Sequence, residues 1–135
     1  MTNSQAYKRY NSVLYRGISD PKQIVSLLFA ASLKETAEAR IKLENGNKLE
    51  LTDNINRSVE ILAALRDSID ESSDKETVNY LRALYDWLIG KLLDGFRMSN
   101  IKDIEIVERY LSEIHKIWNG DVNSGKDEQS KRSVG

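Results

Sequence analysis

Apolar residues recur every three or four positions in four stretches of the sequence, a spacing that predicts four amphipathic helices. The first predicted helix runs from Lys22 to Glu44. It begins after Asp20-Pro21, where proline suits the first helical turn and Asp20 has capping-box spacing to Gln23. It ends at Asn45-Gly46-Asn47, because glycine and asparagine tolerate the left-handed conformation that closes many helices.

The second and third predicted helices carry long apolar stripes. The second spans about Lys48 to Asp70, and the third opens after a polar break where Ser73 and Glu76 have capping-box spacing. Gly90 and Gly95 each weaken the third helix by about 1 kcal/mol relative to alanine, unless a neighbour packs closely against them. The stripes consist of Leu51, Ile55, Val59, Leu62, Leu65 and Ile69 in the second helix, and of Val78, Leu81, Leu84, Tyr85, Leu88, Leu92 and Phe96 in the third.

The fourth predicted helix follows a turn at Met98-Ser99-Asn100 and ends at Gly120, with a stripe of Ile104, Val107, Leu111, Ile114 and Trp118. Beyond Gly120 large apolar side chains are almost absent, so we expect disorder. The short connections make sequential helices antiparallel. The sequence therefore predicts an all-α fold: an antiparallel up-and-down four-helix bundle at 19–120, with a short N-terminal arm or cap at 1–18 and a disordered C-terminal tail at 121–135.

Composition narrows the classes of function. A chain of 135 residues suits one domain with one core. Its 20 basic and 21 acidic residues nearly cancel, which disfavours nucleic acid or an anionic membrane as a partner. Cysteine is absent, which excludes disulfides and thiolate chemistry. We find no signal peptide and no apolar run long enough to span a bilayer, so the sequence predicts a cytoplasmic protein.

Catalytic motifs are missing from the sequence. The single histidine, His115, is expected to be partly exposed and to interact favourably with the C-terminus of the fourth helix. The alternative is a metal ligand, but Ser112 stands where the Glu-x-x-His motif of bundle di-metal sites needs a glutamate. Phosphate-binding loops and nucleophile elbows are also missing. We predict no catalytic residue, no metal site, no cofactor and no enzymatic activity.

The aromatic residues suggest a binding function. Tyr7, Tyr10 and Tyr15 lie in a polar stretch before the first helix, and two interpretations are open: the arm packs on its own bundle, or it is a detachable cover over a groove that a partner also uses. In the third helix, Trp87 falls about 200° from Tyr85, which belongs to the core stripe. The face around Trp87 is formed by Tyr80, Leu84 and Lys91.

A helix that is apolar on two faces has more surface to bury than one core needs, so the face around Trp87 is a candidate interaction site. Tyr85 is expected to lie in the core. Trp118 is expected to close the end of the bundle.

Four segments together resemble the flagellin export chaperone family (FliS). They are AYKRY at Ala6 to Tyr10, SDPKQIVSLLF at Ser19 to Phe29, YLRALYDWL at Tyr80 to Leu88, and ERYLSEIHKIW at Glu108 to Trp118. They occur in the order and near the spacing typical of that family. The chain departs from the family pattern at Ser72-Ser73-Asp74-Lys75, where a glycine pair is common, and at Phe29-Ala30-Ala31, where a Tyr-Glu-Gly type of sequence is usual.

The resemblance implies a cytoplasmic chaperone that binds the C-terminal segment of flagellin, prevents premature polymerisation and assists export, with the flagellar export gate as a second partner. We expect a monomer or weak homodimer. The predicted partner-binding residues are Tyr7, Tyr10, Ile55, Leu62, Leu84, Trp87, Leu88, Lys91 and Tyr110. The main alternative is a self-associating helical-bundle adaptor or regulatory protein with no flagellin client, and a metallo-bundle enzyme is a distant third.

Overall fold

A computed structural model describes the backbone of residues 21–134 and the side chains of residues 22–120. It contains four helices, α1 (Pro21–Glu44), α2 (Thr52–Asp67), α3 (Lys75–Arg97) and α4 (Ile101–Val134), and the described backbone has no strand. The predicted all-α four-helix fold is confirmed. The predicted cap at Asp20 and the arm with Tyr7, Tyr10 and Tyr15 lie outside the described residues.

The helices form a ring in which each packs against two neighbours: α1 against α2 and α4, and α3 against α2 and α4. Two contacts show that α1 and α4 are antiparallel. The indole N–H of Trp118 donates to the carbonyl of Lys22 at 3.0 Å, at the start of α1. Arg40, near the end of α1, pairs with Glu108 in the first half of α4. The chain therefore runs up and down as predicted.

The core is built mainly from the predicted stripes of α2, α3 and α4, together with Ile24, Leu28 and Phe29 of α1. Tyr85 is buried as expected and stacks on Phe29, with ring centroids 6.5 Å apart. The Phe29 ring also lies 6.3 Å from that of Trp118, so Trp118 covers the end of the core as predicted. The largest buried apolar side chains are Ile24, Leu28, Leu51, Ile55, Leu62, Leu65, Leu88, Leu92, Ile104, Val107 and Leu111.

Two of the predicted turns are closed by hydrogen bonds of the Schellman type. Gly46 has φ 77°, and the N–H of Asn47 donates to the carbonyl of Lys42 at 2.8 Å. At the end of α3, Ser99 has φ 52°, and the N–H of Asn100 donates to the carbonyl of Gly95 at 2.9 Å. The second turn is tight, because a Cβ atom on Gly95 would lie only 2.8 Å from Cγ1 of Ile104.

The predicted bounds of α2 and α3 need correction. Helix α2 covers Thr52–Asp67 rather than Lys48 to Asp70, because residues 48–51 form turns and the buried Leu51 occupies the N-cap position without a side-chain hydrogen bond. Helix α3 is capped by Asp74 and not by Ser73. The Asp74 carboxylate accepts from both the backbone N–H and the hydroxyl of Thr77, which secures the first turn one residue later than predicted.

The predicted end of α4 at Gly120 is also wrong, because the helix continues to Val134. A single glycine costs a helix only about 1 kcal/mol, and no proline follows it. The disorder of residues 121–135 in solution stays a prediction. No helix among the described residues is both long enough and apolar enough to cross a membrane.

Candidate partner-binding groove

Trp87 of α3 and Tyr110 of α4 lie side by side on the outside of the bundle. Their rings meet edge to face, with centroids 5.1 Å apart and an interplanar angle of 74°. Trp87 is 40% exposed and Tyr110 is 42% exposed, so each ring is fixed by the other while one part of it faces solvent. The Nζ atom of Lys91, one turn along α3, lies 5.8 Å from the centre of the Trp87 ring and pairs with Asp103 at 3.5 Å.

Other apolar side chains extend this pair into a strip. Because α3 and α4 are antiparallel, the turns of α3 that precede Trp87 lie beside the turns of α4 that follow Tyr110. Tyr80 is 67% exposed and Ile117 is 64% exposed, while Leu84 and Ile114 are partly buried between them. We call this surface the α3–α4 groove, formed by Tyr80, Leu84 and Trp87 on α3 and by Ile106, Tyr110, Ile114 and Ile117 on α4.

The α4 wall of the groove is long enough to hold a helical segment. A cleft of about 390 Å³ lies along α4, lined by Arg109, Tyr110, Glu113, Ile114 and Ile117. From Ile106 to Ile117 the helix rises about 16 Å at 1.5 Å per residue, which is roughly three helical turns. Isolated exposed apolar residues are common on monomers, but a continuous strip rimmed by charges is typical of an interaction site.

The side of α4 that faces α1 has a different character, and Arg109 and Glu113 lie at the border between the two sides. A cleft of about 470 Å³ lies there between α1 and α4. Its apolar lining is limited to Leu33 and Ala37, and the other lining residues are Lys34, Glu105, Glu108, Arg109, Ser112, Glu113 and Lys116. Large apolar anchors are what a docked helix needs. The α3–α4 groove is therefore the better candidate for binding an amphipathic segment.

The described side chains offer little for catalysis. No group of three or more His, Cys, Asp or Glu side chains within residues 22–120 is placed to hold a metal ion. His115 lies in the middle of α4, with its Nε2 3.1 Å from Nδ2 of Asn119, so the predicted interaction with the end of the helix is wrong. Burial raises the pKa of Tyr85 to about 12, which keeps this core phenol neutral.

The structure separates the predicted partner-binding residues into three groups. Leu84, Trp87, Lys91 and Tyr110 come together at the α3–α4 groove or its edge. Ile55, Leu62 and Leu88 are buried in the core, because neighbouring helices cover that face, so in this conformation they offer a partner no surface. Tyr7 and Tyr10 lie outside the described residues.

Most of the residues on the α4 side of the groove were not predicted from the sequence. Ile106, Ile114 and Ile117 were not assigned to binding, although with Tyr110 they recur at helical spacing. The sequence pattern that marks this strip was weak, because the strip borders the core stripe of α4 and Ile114 belongs to the strip and to the core stripe. Arg109 was missed as well, since one charged residue on a charged helix has no distinctive pattern.

Comparison with known proteins identifies the family. The family model for the flagellar protein FliS matches residues 2–124. The flagellar secretion chaperone FliS of Salmonella typhimurium is 28% identical over 101 residues, which cover 74% of this chain and 75% of that protein. The flagellar secretion chaperone FliSB of Pseudomonas aeruginosa is 26% identical over 119 residues, which cover 86% of this chain and 94% of that protein.

A third relative, the flagellar secretion chaperone FliS of Escherichia coli, is 26% identical over 98 residues, covering 72% of each chain. The match to the family model extends over nearly the whole sequence and includes all the residues that form the groove. The resemblance found in the sequence is confirmed: this chain belongs to the FliS family of flagellar secretion chaperones, which are not enzymes.

Proposed function

We propose that this protein binds the C-terminal segment of flagellin in the cytosol, prevents its premature polymerisation and assists its export. Membership of the FliS family supports the general role, since the named relatives are flagellar secretion chaperones. The α3–α4 groove is the observation that supports a direct binding function. It exposes Tyr80, Trp87, Tyr110 and Ile117, which include three of the exposed aromatic side chains of the bundle.

The chemistry of the proposed client fits this surface. A segment that packs by coiled-coil contacts in a filament has an apolar face that is uncovered before assembly. In the helix-in-groove mode, apolar residues one turn apart on such a segment insert between the walls of an apolar cleft. A client helix held there has its association surface covered, so it cannot polymerise. Coupled folding costs about 2 to 5 kcal/mol, which keeps binding reversible.

Calorimetric titration with a purified peptide of the flagellin C-terminal segment tests the binding step. We expect saturable binding with a negative heat-capacity change, because apolar surface is buried. The Leu93→Ala variant is a control that should bind the peptide like wild type. Leu93 lies on the same helix as Trp87 and is 44% exposed, but it does not belong to the groove. Absence of binding to the wild-type protein would contradict the proposal.

Light scattering of flagellin under filament-forming conditions tests the second step. An equimolar amount of this protein should delay the rise in scattering, and an excess should abolish it. Secretion tests the last step, in which the complex is delivered to the export gate: cells that lack the protein should retain flagellin. If sedimentation experiments show a permanent dimer that does not bind the flagellin peptide, the self-associating bundle is favoured instead.

A further inference from the structure

One arginine differs from the others in the part of the molecule with described side chains. Every arginine there except Arg109 pairs with a carboxylate of the same chain. Arg66 lies 3.1 Å from Asp86, and Arg57 lies 3.7 Å from Glu35. The remaining pairs are Arg40 with Glu44 and Glu108, Arg82 with Glu71, and Arg97 with Asp94. Arg109 makes no ion pair or hydrogen bond through its side chain with any described residue.

Arg109 also occupies a special position. It directly precedes Tyr110 on α4, it is exposed, and it lies at the border of two clefts, one lined by Ile114 and Ile117 and the other between α1 and α4. Glu113, one turn further along α4, lines the same two clefts and has the spacing of an intrahelical partner, yet no ion pair between Arg109 and Glu113 forms. Such a pair on a solvated helix is worth only a few tenths of a kcal/mol, so Arg109 is available to an external carboxylate at little cost.

We infer that the occupant of the groove is an amphipathic helix with an aspartate or glutamate on the flank of its apolar face, and that Arg109 binds this carboxylate through two parallel N–H···O bonds. The inference rests on the proposed function and specifies the chemistry of the client. Guanidinium is suited to this geometry because its donors form a planar fork that matches a carboxylate.

The surroundings strengthen this pairing and restrict the charges that the occupant can carry. A helix seated on Tyr110, Ile114 and Ile117 excludes water from one side of Arg109, which strengthens an ion pair relative to a fully solvated one. Glu113 repels a second acidic residue one turn away along the occupant. The Arg109–Glu113 order therefore favours an occupant that has an acidic residue next to Arg109 and a basic or neutral one next to Glu113.

Titration of the flagellin C-terminal peptide into the full chain at two salt concentrations tests the pairing. Arg109→Gln should weaken binding roughly tenfold at about 50 mM salt, and the difference should shrink at about 1 M salt. Arg97→Gln is the matched control, because Arg97 pairs with Asp94 and lies outside the groove; its affinity should stay within about twofold of wild type. Unchanged melting temperatures would show that both variants fold normally.

A charge swap identifies the contact. Arg109→Glu should abolish most binding, and changing one acidic residue of the peptide to lysine should restore it, whereas the same change at other acidic positions should not. Wild-type binding with no effect of Arg109→Gln at either salt concentration would overturn the pairing and leave the proposed function intact. Failure of the wild-type protein to bind the peptide at all would overturn both.

Discussion

Replacing Trp87 with alanine tests whether the groove holds the client. A tryptophan side chain presents about 250 Å² to solvent when uncovered, and 40% of Trp87 is exposed in the free protein, which leaves roughly 100 Å² for a partner to cover. At about 25 cal/mol per Å², covering most of that area contributes about 2 kcal/mol. Trp87→Ala should therefore weaken binding of the flagellin C-terminal peptide by roughly thirtyfold.

The same substitution also affects the fold. It removes the edge-to-face contact with Tyr110, which contributes about 1 kcal/mol to the free energy of unfolding. Binding must therefore be measured by calorimetry well below the melting temperature. Leu93→Ala, with similar exposure on the same helix, should bind like wild type. Equal affinity of wild type, Trp87→Ala and Leu93→Ala would refute the assignment of Trp87 to the binding surface.

Three further predictions concern stability. Gly95→Ala should lower the free energy of unfolding by about 1 to 3 kcal/mol in urea titrations, because the new Cβ would lie 2.8 Å from Ile104 and 3.2 Å from the carbonyl oxygen of Asn100. Gly90→Ala should raise the free energy of unfolding by about 1 kcal/mol, since a Cβ atom added there would meet no atom within 4 Å apart from its own stretch of helix backbone. A gain from both substitutions would contradict the packing. Asp74→Ala should lower the free energy of unfolding by about 1 kcal/mol, whereas Ser73→Ala should leave it unchanged. The opposite result would show that Ser73 is the N-cap, as the sequence predicted. Burial raises the pKa of Tyr85 from 10.0 to about 12, so the folded state disfavours tyrosinate. The free energy of unfolding should therefore not depend on this group below pH 10 and should fall as the pH rises from 10.0 to about 12. Chemical denaturation at alkaline pH should show a smaller fall for Tyr85→Phe.

The fold was largely predictable because residues at the helix ends determine where several of the helices begin or end. Gly46, with φ 77°, fixes the end of α1. The start of α2 was not predictable, since Leu51 occupies the N-cap position and is held by burial rather than by a side-chain cap. The choice between Ser73 and Asp74 depended on the extra hydrogen bond from Thr77, which spacing alone does not reveal.

The groove was predictable only in part. The position of Trp87 off the core stripe marked the α3 wall, because a large aromatic residue on a second face needs a neighbour or a partner. Periodicity shows which side of a helix is apolar but not which helices cover it. Ile55, Leu62 and Leu88, which were predicted to bind a partner, are buried in this conformation, and Ile106 and Ile117 of the proposed groove were not among the predicted residues.

Fluorescence of Trp87 during client binding tests the central claim most directly. The chain has two tryptophans, so Trp118→Phe leaves Trp87 as the single reporter, provided that the flagellin peptide contains none. Burial of Trp87 under a docked segment should shift its emission to shorter wavelength and reduce quenching by acrylamide, in proportion to the binding measured by calorimetry. Full calorimetric binding with unchanged emission and unchanged quenching would show that the segment binds elsewhere and would contradict the account.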